Sequence, residues 1–386
     1  MNDGYIKSLD GVRALAIILV MTFHAGITHF GWMGVQLFFV LSGYLITGIL
    51  WKEKFRQAGL TFKFKKFWVR RSLRIFPLYF GYLIVLGLGF LLLHFPSYYT
   101  LYAPYLFTYT FNYTRLLSGW QGNPLFTHLW SLSIEEQFYL FFPLIIFFLP
   151  ARLVKWFLVA MIFITPVTRY LLGGYYGARA SMPIAADAVY WNTLSHLDAF
   201  FMGGLIPVLS LNRKIKNARA LFISTLALVV IAGLANYLSE IAAPPYLSDL
   251  GYNHDAVGNY AHVWRYSVLN LCFASFLLLL TDIHRQGSTL LRRIFENNIL
   301  VSIGRVSYGM YIFHWLIFVY VMAKIAAPQN IFLKLLFFIP YLAAVYLVAA
   351  LSYRLYEVRF LRLKDRLFRR TSPLPAGVES AVEKNG

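Results

Sequence analysis

The 386-residue chain contains one cysteine, Cys272, and only 13% of its residues are charged. A lone cysteine excludes an internal disulfide, a cysteine-based zinc site and an iron–sulfur cluster. The charge content is about half the roughly 25% of an ordinary soluble domain. So few charges cannot furnish a polar shell for a chain that is 59% hydrophobic and 18% aromatic. A soluble enzyme is therefore excluded, and so is disorder anywhere but at the polar C-terminal end. Acidic residues are scarce too: 16 Asp+Glu stand against 35 Lys+Arg, a net charge of +19. A nucleic-acid binder would display that charge on a polar surface, which this composition does not supply. No HExxH, GxSxG or Walker sequence occurs.

What the chain does have is long apolar runs. About 20 such residues cross roughly 30 Å of hydrocarbon. Ten runs qualify: Asp10–His29, Met33–Trp51, Ile75–Phe95, Leu129–Leu149, Val154–Leu172, Leu194–Leu211, Ala220–Leu238, Trp264–Leu280, Ile299–Ala323 and Ile331–Leu351. They predict an all-α, polytopic transmembrane bundle of about ten spans, with residues 1–370 forming one membrane-embedded domain. A shorter run, Tyr99–Tyr113, is rich in Tyr and Thr and predicts a re-entrant or interfacial helix. Lys7 and Ala14–Val20 imitate the start of a signal peptide, but no small-x-small site follows, so the first run is expected to remain a helix. The polar segment 371–386 is expected to be a disordered cytoplasmic tail.

The cations fall on one side of this scheme. With the N-terminus inside, segments around Lys7, 52–74, 151–155, 212–219, 282–298 and 352–386 carry 27 Lys and Arg. Six lie on the other side: Arg115, Arg169, Arg179, Arg265, Lys324 and Lys334. The positive-inside rule then places both termini in the cytoplasm.

Ionisable groups inside the spans cost about 2.5–3.5 kcal/mol each on insertion scales, so each needs a reason. Arg13 and His24 lie eleven residues apart, which returns them to one helical face about 16 Å apart along the axis. Asp10 is available to pair with Arg13. Glu135 and Glu136 in HLWSLSIEEQFYL reach a depth similar to His24, so one of them is a candidate partner for the imidazole. A His facing a carboxylate in a low-dielectric cavity suits general-base chemistry. Asp198 in HLDAFFMGG and His314 in SYGMYIFHW have an ordinary alternative: hydrogen bonds that hold helices together, worth about 0.6 kcal/mol each. His254 and Asp255 fall on a polar loop. Glycine pairs 173–174 and 203–204 read as packing residues, since no strand precedes them.

Segment 52–74 holds nine cations and one acid, Glu53. Attraction to anionic lipid accounts for Lys63, Lys65 and Lys66. Arg70, Arg71 and Arg74 differ, because they open the third span before Pro77, and Arg70 and Arg74 share a helical face. Forked guanidinium groups there can grip phosphates, which points to a phosphorylated cytoplasmic ligand.

Taken together, the motifs LDGVRALAIILVMTFHA, GVQLFFVLSGYLIT, FWVRRSLRIFPLY, HLWSLSIEEQFYLFFP, HLDAFFMGG and VSYGMYIFHW resemble acyltransferase family 3. This is an integral-membrane family typified by bacterial O-acetyltransferases of surface polysaccharides. The matches run in the family's order from residue 9 to about 315, with a softer one at RLYEVRF, where Val358 replaces the usual Pro. The resemblance implies transfer of an acyl group from cytoplasmic acetyl-CoA, as co-substrate, to a hydroxyl of a cell-surface or lipid-linked carbohydrate. It implies an inner-membrane enzyme with no metal and no nucleic-acid partner, and it leaves the oligomeric state open. It carries His24 and Arg13 over as the catalytic pair, Arg71 and Arg74 as the arginine motif beside Arg70, and Glu135 or Glu136 as the acidic helix. Asp10, Asp198, Tyr308 and His314 are substrate-binding or structural. His196 stands where an Arg often precedes the Asp. With some 30 residues left, no SGNH-type hydrolase domain is expected to follow. The other reading of intramembrane His, Glu and Arg is a proton-coupled transporter or flippase of a glycan or lipid-linked substrate.

Overall fold

A computed structural model describes residues 5–93, 98–179, 181–239, 249–253, 260–286, 289–322 and 330–368. His254, Asp255, Lys324 and the 371–386 segment lie outside the described residues. Among those described, every regular element is helical.

The elements are α1 (Lys7–His24), α2 (Met33–Lys54), α3 (Leu60–Leu93), α4 (Tyr99–Phe107), α5 (Pro124–Thr127), α6 (Trp130–Phe148), α7 (Ala151–Arg179) and α8 (Met182–Tyr190). They continue with α9 (Leu197–Val208), α10 (Leu211–Lys214), α11 (Ala218–Ser239), α12 (Ala261–Gln286), α13 (Thr289–Phe295), α14 (Asn298–Ile317), α15 (Ile331–Ser352) and α16 (Val358–Leu367). Among the described residues, seven helical segments are long and apolar enough to cross a membrane: α2, α3, α5–α6, α7, α11, α12 and α15–α16. The chain is a multi-pass membrane protein. The other three expected runs correspond to α1, α9 and α14, the helices whose sequences carry Asp10, Arg13, His24, Asp198 and His314. The 99–113 run forms α4 and a 3-10 turn at Phe111–Leu116; nine residues of helix reach only about 14 Å.

The cationic 52–74 segment is not a loop. Most of it is the N-terminal part of α3, which starts at Leu60 rather than Ile75. Lys, Arg and Phe are tolerated there because the side chains lie at the polar end of a long helix, where cations extend to water.

Burial separates an inner group from a perimeter. The apolar windows of α2 and α12 are 67% buried, while those of α3, α7, α11 and α15 are 17–28% buried. The outward faces of the perimeter helices carry exposed Leu91, Leu92, Phe163 and Phe332, as a lipid-facing surface requires. Inside, α2 packs on α9 and α1 packs on α14. Both contacts depend on glycine. A Cβ at Gly43 would fall 1.9 Å from the Phe200 carbonyl oxygen, and one at Gly304 would fall 1.9 Å from that of Asp10. Small residues permit such backbone approach between membrane helices. Gly43→Ala is expected to push α2 from α9 and cost about 1–3 kcal/mol, the range for overpacking. Thermal unfolding of the detergent-solubilised protein reads this directly.

Candidate active site

Arg13 and His24 project from α1 into two of three cavities that share lining residues. At one end a cavity of about 410 Å³ is lined by Lys63, Lys66, Arg70, Arg71, Arg74 and Lys364. Arg71 and Arg74 also line a narrower middle chamber of about 110 Å³, together with Arg13, Ser42, Glu135, Glu136 and Tyr308. Val35 and Tyr311 then form the partition to a third chamber of about 380 Å³, which holds His24 and His128 among Trp and Tyr rings. The two wide chambers are of ligand-binding size.

The cationic cavity has cations that internal carboxylates do not consume. Lys66 pairs with Glu53 at 2.8 Å, and Arg70 meets Asp365 at 3.5 Å in a half-exposed, weak pair. No carboxylate lies within ion-pair distance of Arg71 or Arg74 among the described residues. Arg71 instead sits over the Tyr139 ring, 5.2 Å from its centroid. Two guanidinium groups held this way at a throat suit an anionic ligand. Lys364 reaches the cavity from α16, more than 290 positions after Arg70, with no sequence signal beyond a basic amphipathic helix.

In the middle chamber Arg13 pairs with Asp10, which also accepts a hydrogen bond from Tyr5. Glu135 accepts from Ser42 and Tyr139. Tyr308 donates to the Ile75 carbonyl at 3.0 Å. Glu135 and Glu136 thus share a chamber with the arginines rather than with His24.

The structure gives His24 a different partner from the expected Glu135 or Glu136. Its Nδ1 lies 2.9 Å from Nε2 of His314, which is fully buried. Nδ1 of His314 lies 2.6 Å from the Tyr311 carbonyl oxygen, which can only accept. In a neutral pair the proton pattern follows: His314 Nδ1–H donates to Tyr311, so its Nε2 accepts. His24 then carries its proton on Nδ1, which leaves Nε2 with the lone pair. A base whose tautomer is fixed by its neighbour is what proton abstraction needs. Sequence reasoning matched depths along the helices; the angle around each axis decided which side chains met.

Asp198 is held inside the bundle. It pairs with Arg169, both fully buried, and accepts from Ser267 at 2.6 Å and Asn270 at 3.1 Å. Arg169, counted in the sequence on the side opposite the cytoplasm, is interior to α7 and also donates to the carbonyls of Ser195 and Val263. It supplies the guanidinium that His196 does not. His196 is itself satisfied by Gln36 at 2.9 Å and the Tyr190 carbonyl at 2.7 Å. Among the described residues no group of three or more His, Cys, Asp or Glu is placed to hold a metal ion.

The bundle places a throat of arginines and an imidazole pair inside one helical membrane scaffold. The family model described as an acyltransferase domain matches residues 6–354, and the chain belongs to acyltransferase family 3. It is 28% identical over 370 residues to O-acetyltransferase OatA of Staphylococcus aureus strain NCTC 8325 and to the OatA of strain COL. Each alignment covers 92% of this chain and 57% of the relative, so the chain spans little more than half the length of those proteins. No solved structure matches the chain.

Proposed function

We propose that the protein transfers an acyl group, acetyl from acetyl-CoA, to a hydroxyl of a cell-surface or lipid-linked carbohydrate. The observation that carries this reading is that a cationic cavity and the His24 chamber each share lining residues with the chamber between them. The CoA phosphates sit against Arg70, Arg71 and Arg74 on the cytoplasmic side of the bacterial inner membrane, the side on which both termini lie. The thin pantetheine arm runs through the middle chamber past Arg13, Glu135 and Glu136, where its amides find donors and acceptors. The thioester enters the third chamber, where the acceptor hydroxyl meets Nε2 of His24.

His24 takes the hydroxyl proton as the C–O bond forms, and returns it to the thiolate as the C–S bond breaks. The other course, an acetyl group carried on His24, uses the same lone pair. Holding both reactants in one chamber supplies much of the rate gain by proximity.

Purified protein in detergent, given acetyl-CoA and no membrane gradient, is expected to release CoA and acetylate a glycan acceptor. A proton-coupled transporter or flippase would do neither. Arg71→Ala is expected to raise the KM for acetyl-CoA about tenfold or more, the loss of one charge-assisted phosphate contact, with kcat nearly kept. An unchanged KM would remove the throat from the donor site.

A further inference from the structure

Two helices bring tryptophan to the chamber that holds His24. Trp130 opens α6, and Trp191 follows the last turn of α8, four residues after Asp187 and so on the same helical face. All three residues line the chamber, together with Tyr190 and Trp32. The Trp130 and Trp191 rings stack, 5.4 Å between centroids and 21° between planes, so each covers a face of the other. Trp130 also meets the Tyr190 ring at 4.7 Å.

The stacked pair offers donors. The two tryptophans are 6% and 7% exposed, yet neither indole N–H bonds a described residue. Nor are these nitrogens sealed in packing, as Nε1 of Trp120 is. Both N–H groups therefore open onto the chamber that their rings line. Trp32, by contrast, spends its N–H on the Tyr252 carbonyl at 3.1 Å. Asp187 supplies the opposite polarity. A carboxylate accepts at up to four sites, and a 2.5 Å ion pair with Arg115 fixes the direction of this one. Arg115 is steadied in turn over the Trp120 ring, 4.1 Å from its centroid.

Fixed donors beside a fixed acceptor select among classes of ligand. A hydrocarbon chain would strip water from the N–H groups and the carboxylate and give nothing back. An anionic headgroup would face Asp187 with no Lys or Arg among the described residues of the chamber wall. A hydroxyl both donates and accepts, so a ring with several adjacent hydroxyls satisfies both polarities at once. Its C–H edges, slightly positive, suit the aromatic surface between them. We infer that Trp130, Trp191 and Asp187 form the acceptor subsite, and that it takes an uncharged pyranose ring. Hydroxyl oxygens of the sugar accept from the two indole N–H groups, and a neighbouring hydroxyl donates to Asp187. A further hydroxyl is thereby held toward Nε2 of His24. The inference rests on the proposed reading of the acceptor as a carbohydrate and names the residues that would recognise it. These three position the sugar and move no proton.

The test uses the full chain in a detergent without a sugar headgroup. The acceptors are methyl glucoside, methyl galactoside and methyl N-acetylglucosaminide, with 1-hexanol as the comparison alcohol. At least one glycoside is expected to be acetylated well ahead of hexanol. Trp130→Phe and Trp191→Phe keep a ring in the stack but lose the N–H. Each is expected to raise the KM for that glycoside about three- to tenfold, the loss of one neutral hydrogen bond, with the KM for acetyl-CoA within about twofold. Asp187→Asn is expected to raise it about tenfold or more, since the bond to the carboxylate is charge-assisted. Saturation-transfer NMR on His24→Ala reads binding without turnover. Glycoside C–H signals are expected there, and they weaken in His24→Ala/Trp130→Phe. Hexanol acetylated as well as the glycosides, a glycoside KM unchanged in both Phe variants, or no glycoside signal on His24→Ala each overturns the inference. A rise in both KM values with a lowered thermal midpoint overturns it too, since that pattern marks a packing role. Failure of the underlying reading looks different: glycosides bind to the parent protein and lose signal in the Phe variants, which upholds the subsite, while acetyl-CoA releases no CoA.

Discussion

His24→Ala is expected to cut CoA release from acetyl-CoA by about 10²–10⁴-fold, the usual worth of a positioned general base. The variant should still insert and fold. The ring lines a chamber rather than a packed core: His24 is half-buried and bonds His314 at 2.9 Å. Thermal midpoint and acetyl-CoA binding are therefore expected to stay close to the parent values. Full turnover in this variant would sink the scheme. His314→Phe should act by another route, removing the acceptor of the His24 Nδ1–H and so releasing the tautomer. Its loss should be smaller and partly restored by His314→Gln, whose amide oxygen can take the same bond. Rapid-quench kinetics with labelled acetyl-CoA separates the two courses open to His24. A burst of one acetyl group per chain marks a nucleophile, and its absence with fast chemistry marks a base.

The largest expected effect on stability lies away from the chemistry. Asp198→Ala leaves the Arg169 guanidinium buried without its counter-charge, a change that costs about 3–5 kcal/mol. Arg169 is tied to the carbonyls of Ser195 and Val263 and to Ser267, so it cannot withdraw to solvent. Three helices, α7, α9 and α12, meet at this one carboxylate. The double variant Arg169→Met/Asp198→Leu is expected to regain part of the loss, because well-packed apolar residues often replace a buried pair at little cost. Both are read as thermal midpoints in detergent. A single variant with the parent midpoint would show that the pair is dispensable.

The sequence made visible what a single helix or a single run contains. Arg13 and His24 were legible as one face because eleven residues of α-helix return nearly to the same angle. Arg70, Arg71 and Arg74 were legible as a cluster for the same reason. Membrane spans were legible from apolar length. What was not legible depends on two helices at once. His24 and His314 are 290 positions apart, and Arg169 reaches Asp198 across 29 residues and the whole of α8. Equal depth suggested Glu135 or Glu136 for His24, but depth fixes one coordinate of three. His128 lies in HLWSLSIEEQFYL, where a lone His beside Leu and Trp reads as core.

The glycine contact between α1 and α14 has a mechanical consequence. At Gly304 the two backbones nearly touch, and His314 stands ten residues further along the same helix, about 15 Å from that point. Two rods pinned at one place form a lever. A rotation of about 2° at the pin would move the far imidazole by about 0.5 Å, the whole positional tolerance of a working constellation. Gly304 and Asp10 touch neither ring, yet they set the span that the His24–His314 bond must bridge. The tolerance of the imidazole pair is thus machined at the opposite end of the helices that carry it.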